Sequence, residues 1–200
     1  MRLTASLLSL SMVLALAACQ RDAAPAGVAD DGVPADQSQE VTTPPPPLPG
    51  HSAAATLAAT EGSTASGVLQ FMAVDGGVHV TGQVRGLAPD RRHGFHVHET
   101  GDCSAPDASS AGGHFNPHDA AHGRVGAPPH HVGDSDNLAA DAQGGAQVDN
   151  HLAGATLGDG GPTDIVGKAV IVHADADDYT TQPTGDAGDR LACGIIEDAT

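Results

Sequence analysis

Four short motifs of this 200-residue chain place six histidines and one aspartate, in them or between them, where a two-metal site could form. The motifs are GFHVHE at 94–99, GGHFNP at 112–117, HHVGD at 130–134 and VHADADD at 172–178. His96 and His98 are two residues apart in an apolar stretch, so on a β-strand both imidazoles point to the same face. Two adjacent imidazoles make half of a metal site. Ligands to complete one or two such sites are available at His114, His122, His131, Asp134 and His173.

The composition describes an acidic chain with a core of small aliphatic residues. It has 8 Lys and Arg against 25 Asp and Glu, which argues against nucleic acid or anionic lipid head groups as partners. There is no Trp, one Tyr and three Phe, so the core must be built from Val, Leu, Ile and Ala. The 26 Gly and 14 Pro are typical of short strands joined by many turns.

The N-terminus has the pattern of an export signal over residues 1–18. Arg2 precedes a short apolar run that ends in Leu-Ala-Ala-Cys, with Cys19 last. This ending resembles a bacterial lipobox, which implies that Cys19 is lipidated and that the membrane is reached only through this anchor. Gln20 follows instead of Asp, so we expect a periplasmic protein on the outer membrane of a Gram-negative bacterium. The alternative is an ordinary cleaved signal with Cys19 lost.

Two further segments follow the signal. Residues 19–50 are rich in Pro, Ala and acidic residues, which predicts a disordered tether, although part of it could pack on the domain. Residues 51–200 form the predicted domain. If Cys19 carries lipid, Cys103 and Cys193 remain, and exported chains pair their cysteines. The alternative is two buried free thiols.

About eight strands and no convincing amphipathic helix are predicted from residue 53 onward. Apolar stretches such as GVLQFMAV, VHVTGQV, HGFHVHE, IVGKAVIVH and LACGIIE are separated by Gly, Pro and Asp. Two long irregular stretches, at 101–136 and 174–190, interrupt them. We therefore expect an all-β, eight-stranded Greek-key barrel or sandwich, immunoglobulin-like, with two long functional loops.

The motifs together resemble the copper/zinc superoxide dismutase family in its exported bacterial form. The resemblance covers residues 53–200 and is carried by GFHVHETGDC, SAGGHFNP, HHVGD, IVHADADD and GDAGDRLACG, in this order. It implies one copper and one zinc per subunit, with His114 bound to both metals as an imidazolate. The implied copper ligands are His96, His98, His114 and His173. The implied zinc ligands are His114, His122, His131 and Asp134. His130 adjoins His131, but the family pattern selects His131.

The resemblance also implies roles for neighbouring residues. Asp177 would link His96 and His122, Arg190 would attract a small anion beside the copper, and Thr184 would narrow the access channel. The implied reaction is dismutation of superoxide to O₂ and hydrogen peroxide by one-electron cycling of the copper, in the cell envelope, with His114 supplying a proton. A net charge of −17 opposes an anionic substrate, so steering must come from Arg190 and the metals, with Lys168 and Arg124 as further candidates.

Two other functions remain open on the sequence alone. A copper or zinc carrier of the cell envelope could use the same fold, but a carrier would more readily lack Arg190 or a ligand. A structural or adhesive lipoprotein with a degenerate barrel would not keep all seven ligands. Neither a monomer nor a homodimer is favoured by any residue pattern.

Overall fold

The computed structural model describes residues 50–199, and these are almost entirely β-structure. The predicted signal peptide, Cys19 and all of the predicted tether except Gly50 lie outside the described residues. The all-β prediction is confirmed, with ten strands and one short 3-10 turn, Ser109–Ala111. The strands are β1 Ser52–Ala59, β2 Ser66–Val74, β3 Gly77–Arg85, β4 Arg92–His93, β5 Phe95–His98, β6 Leu138–Ala139, β7 Ala146–Ala153, β8 Ala169–His173, β9 Arg190–Ile195 and β10 Glu197–Asp198.

Eight of these strands form one curled antiparallel sheet. Seven lie in the order β5-β8-β9-β1-β2-β3-β7, and β10 pairs with β1. Neighbours such as β9 and β1 are far apart in the sequence, which is the crossover pattern of Greek-key folds. The second sheet is a two-stranded ribbon of β4 and β6. Within residues 50–199, no helix is long and apolar enough to cross a bilayer.

The alternation of buried and exposed side chains along the strands builds the core. In β2, Leu69 and Phe71 are fully buried, whereas Val68 and Met72 on the opposite face are more than half exposed. The buried residues of the other strands join them in one apolar cluster that includes Phe95 and Val97 of β5. The core therefore holds β5 from its inner side, and the histidines of β5 lie on the other side.

Two predicted strands are shorter than the apolar pattern suggested. HGFHVHE is divided at Gly94 into β4 and β5, which pair with different strands. The residues before β8 form a turn in which Gly167 has φ 78°, a conformation that ends strand geometry. Loop residues in these segments can be buried as deeply as strand residues. Their apolar side chains therefore do not distinguish a strand from a turn.

The two long loops run between β5 and β6 and between β8 and β9. The predicted disulfide is confirmed: Cys103 of the first loop is bonded to Cys193 of β9. Because β9 pairs with β8, the disulfide attaches the first loop to the strand next to the one that carries His173.

Candidate metal centre

Strand pairing places the first group of histidines. His96 and His98 of β5 lie opposite Ile171 and Ala169 of β8, and His173 ends β8. An isolated bridge joins His98 to His114 of the first loop. The structure thus brings together His96, His98, His114 and His173, all buried, with one ligand atom of each within 4.8 Å of the others.

Each strand histidine of the first group has one ring nitrogen within hydrogen-bond distance of an oxygen outside the group. His96 Nε2 is 2.8 Å from Asp177 Oδ2, His98 Nδ1 is 2.9 Å from the Gly112 carbonyl, and His173 Nδ1 is 3.3 Å from the Gly188 carbonyl. The other nitrogens face one another. His96 Nδ1 and His114 Nε2 are buried and have no hydrogen-bond partner. Buried polar atoms are rarely left unpaired, so these nitrogens point to a ligand site.

The second group lies around Asp134 in the first loop. The Nδ1 atoms of His114, His122 and His131 are 2.9, 3.0 and 3.3 Å from the same oxygen, Asp134 Oδ1. The other carboxylate oxygen accepts hydrogen bonds from the backbone N–H groups of Gly123 and His131. Three imidazoles and one carboxylate are a donor set suited to tetrahedral zinc, and four imidazoles suit copper. His114 belongs to both groups and presents a different nitrogen to each.

Burial sets the protonation of the first group. It lowers the pKa of His96 to about 4 and lowers the pKa of His98 and His173 well below the usual range. These imidazoles are therefore neutral near pH 7, which is the form that binds metal ions.

The second group differs because two carboxylates face His122. Burial opposes protonation, but the hydrogen bonds of Asp134 and Asp177 outweigh it and raise the pKa of His122 to about 9. For Asp134, burial favours the neutral acid, yet the hydrogen bonds from His114 and His122 lower its pKa strongly. Without metal, this group therefore holds a proton on His122.

Asp177 connects the two groups. Its Oδ2 is 2.8 Å from His96 Nε2, and its Oδ1 is 2.9 Å from His122 Nε2 and accepts the Tyr179 backbone N–H at 2.7 Å. Burial alone would raise the pKa of Asp177, but the hydrogen bonds from His122 and His96 lower it. Such carboxylate partners fix the tautomer and orientation of metal-binding histidines. This is the contact that the sequence motif implied for Asp177.

Arg190 lies opposite His173 in the β8–β9 pair. Its Nη1 and Nη2 donate to the carbonyls of Ala108 and Gly112, each at 2.6 Å. The Gly112 carbonyl also accepts from His98, so the guanidinium is held beside the first group. Its positive charge contributes to the lowered pKa of His98 and His173.

The surroundings of Arg190 are acidic. Glu61, Asp107 and Asp189 line the same open cleft of about 360 Å³. Of the cations proposed for steering, Arg124 pairs with Asp136 at 3.0 Å, and Lys168 donates to the Glu99 carbonyl at 3.0 Å. Within residues 50–199, neither side chain makes a hydrogen bond or an ion pair with the first group.

Two residues that hold the site were not singled out by sequence reasoning. Asn137 makes hydrogen bonds to the backbone N–H and carbonyl of Asp177, and Gly185 packs against the Asp177 carboxylate. A Cβ at position 185 would overlap Asp177 Oδ1 and approach His122 Nε2 to 2.7 Å, and its φ is +70°. A glycine two residues before Ala187 in a Gly-rich stretch was a signal for such a close approach. Thr184 adjoins Gly185 and is half-buried. That it narrows the access channel stays a prediction.

Comparison with known proteins agrees with this donor set. Residues 65–196 match the family model described as copper/zinc superoxide dismutase. The Cu-Zn superoxide dismutase of Onchocerca volvulus is 40% identical over 154 residues, covering 70% of this chain and 93% of the relative. Superoxide dismutase [Cu-Zn] 2 of Aquifex aeolicus is 36% identical over 145 residues, covering 71% and 84%. The crystal structure of a superoxide dismutase-like protein from Bacillus subtilis is similar at 37% identity and TM-score 0.65, covering 71% and 96%.

Proposed function

The chain belongs to the copper/zinc superoxide dismutase family and has its oxidoreductase activity on superoxide, and we propose how its residues divide the metals and the reaction. The four histidines of the first group hold copper, and the second group holds zinc, with His114 shared. The observation that carries this assignment is the orientation of His114: Nδ1 faces Asp134, and Nε2 is buried and unpaired among the strand histidines. When bound, copper supplies the one-electron exchange that dismutation requires.

Arg190 binds and orients the substrate. Its guanidinium is fixed by two backbone carbonyls next to His98 and His173, so little side-chain entropy is lost when an anion arrives. It is half-buried, and a charge in such a site acts more strongly on an anion than one in bulk water. Because acidic residues line the cleft, Arg190 carries the attraction for superoxide at close range.

His114 supplies one proton. Two superoxide ions and two protons give O₂ and hydrogen peroxide, so each cycle needs a proton at the site and one from water. His114 Nε2 is the buried ring nitrogen that faces the first group and has no other partner. Asp134 holds the ring from the opposite side through Nδ1, at 2.9 Å. His114 could therefore hold a proton at Nε2 whenever that nitrogen is not bound to copper, and give it to the product while Asp134 keeps the ring in place.

The test is dismutation by the purified protein loaded with one copper and one zinc, compared with His114→Ala. His118→Ala is the control, because His118 is exposed and belongs to neither group. We expect copper-dependent activity in the parent and the control and its collapse in His114→Ala. A loaded parent protein without activity would refute the enzyme and favour metal carriage.

We also propose that the protein acts in the cell envelope, anchored by lipid on Cys19. The support is the sequence pattern of residues 1–19 and the paired cysteines, which are typical of exported proteins. Membrane fractionation of cells that produce the full chain, beside a Cys19→Ala variant, tests this. We expect the parent with the membranes and the variant in the soluble fraction. A parent protein found only in the soluble fraction would contradict the anchor.

A further inference from the structure

We propose that Tyr179 is a positioning residue for the metal centre, because its hydroxyl locks the side chain that holds Asp177. The inference rests on the proposed zinc ligands. Asp177 orients His122 only if its own backbone is fixed, and it lies in the loop between β8 and β9 instead of in a strand. The fixing contacts come from Asn137, at the end of the other long loop.

Asn137 grips Asp177 at two backbone atoms. Its Oδ1 accepts the Asp177 N–H at 2.8 Å, and its Nδ2 donates to the Asp177 carbonyl at 2.9 Å. A side-chain amide bonded in this way ties the two long loops together at the residue that bridges His96 and His122. The grip depends on the orientation of the amide, since a rotated amide would present a donor to a donor.

Tyr179 fixes that orientation. Its hydroxyl oxygen accepts hydrogen bonds from both the Asn137 backbone N–H at 3.0 Å and Asn137 Nδ2 at 2.9 Å. Its own backbone N–H donates to Asp177 Oδ1 at 2.7 Å. The path therefore runs from the Tyr179 hydroxyl to Asn137, then to Asp177, and from there to the two histidines.

Tyr179 is itself held in an uncommon conformation. Its φ is 62°, in the left-handed region that a bulky residue rarely adopts. The guanidinium of Arg124 lies 5.5 Å from the ring centroid, and Arg124 is bonded to Asp136. Such residues persist only where the surrounding contacts determine them, and they occur most often at functional sites. The contacts that hold Tyr179 come from the zinc-binding loop, so the ring is placed by the loop that it helps to secure.

The experiment measures the rate at which zinc leaves the fully loaded protein to an excess of a chelating dye. The variants are Tyr179→Phe, Asn137→Ala and their combination. Thr181→Val is the matched control, because its hydroxyl donates to Asp178 in the same loop and, among the described residues, makes no hydrogen bond to Asn137 or Asp177. We expect Tyr179→Phe to release zinc about two- to tenfold faster, as the loss of about one hydrogen bond predicts, with little change in the control.

The combined variant separates positioning from general stability. If Tyr179 acts through Asn137, removing the hydroxyl has little further effect once Asn137 is Ala, whereas independent stabilising roles would add. Additive effects, or equal release by Tyr179→Phe and Thr181→Val, would overturn the inference while leaving the zinc assignment intact. A parent protein that binds no zinc would overturn the assignment and this inference together. If Asn137→Ala fails to fold, the comparison of Tyr179→Phe with Thr181→Val decides.

Tyr179 also provides a direct signal. It is the one tyrosine of the chain, which has no tryptophan, so the emission of the protein reports on the surroundings of this side chain. We expect removal of zinc to change the emission of the parent protein, because the loop that carries Asn137 also carries the proposed zinc ligands. Emission that is the same with and without zinc would contradict the coupling.

Discussion

Replacing Asp177 with Asn gives the sharpest view of how the two metals are held. The amide is nearly the same size, but it offers one acceptor and one donor where the carboxylate offers two acceptors. Asp177 Oδ1 accepts from both His122 and Tyr179, and Oδ2 accepts from His96. Two donors face Oδ1 and one faces Oδ2, so the amide oxygen takes the Oδ1 side: His96 then faces an NH₂ group, and His122 bonds to a neutral oxygen in place of a charged one.

The size of the effect follows from the bonds that are lost. A hydrogen bond to a charged group contributes about 1.5–3 kcal/mol, so one lost bond weakens metal binding by about 10- to 150-fold. This range agrees with the roughly 10- to 100-fold effect of outer partners on metal affinity. His96 is fixed by β5, whereas His122 stands in a loop and depends on Asp177 for its position. We therefore expect zinc to be lost more readily than copper.

The assay is competitive titration of each metal against chelators of known affinity, with Asp178→Asn as the control. Asp178 is the next residue, is exposed and bonds to Thr181 without touching a histidine. The reasoning predicts weakened zinc binding in Asp177→Asn and parent-like binding in the control. Unchanged affinities in Asp177→Asn, or a larger loss of copper than of zinc, would refute it.

Three further predictions follow from the same geometry. Arg190→Ala should lower kcat/KM by about tenfold or more with both metals retained, as stopped-flow assays and metal analysis would show; loss of copper would contradict a role in substrate binding. Zinc binding near pH 7.5 should release about one proton, because the pKa of His122 is raised to about 9 and that proton must leave when zinc binds. Calorimetry in buffers of different ionisation enthalpy measures the proton release. A binding enthalpy that is the same in all buffers would contradict the prediction. Replacing Cys103 and Cys193 with Ser, which opens a crosslink spanning 90 positions, should lower the free energy of unfolding by about 4–5 kcal/mol in urea titrations, and a loss below about 1 kcal/mol would contradict this.

The sequence could predict features that depend on the two-residue alternation of a strand or on the number of cysteines. The two-residue spacing of His96 and His98 placed both rings on one side of a strand, and the structure has them so. The apolar stretches GVLQFMAV and VHVTGQV predicted two strands, and these are β2 and β3, which pair with each other. The cysteine count predicted the disulfide.

The contacts between the long loops could not be predicted from spacing. The Gly112 and Gly188 carbonyls that orient His98 and His173 are backbone atoms, which carry no residue signature. Asn137 reaches Asp177 across 40 positions, and neither residue predicts the other without the fold. Resemblance to a family supplied the pairing of Asp177 with His96 and His122, because the physics of a single sequence leaves such distant pairings open.

The most direct test of the account is a crystal structure of the protein loaded with copper and zinc, with anomalous scattering measured at the absorption edge of each metal. The account predicts a copper peak among His96, His98 and His173 and a zinc peak beside Asp134, with the His114 ring between them. Zinc in the first group with copper beside Asp134, or a His114 ring that binds only one metal, would contradict it.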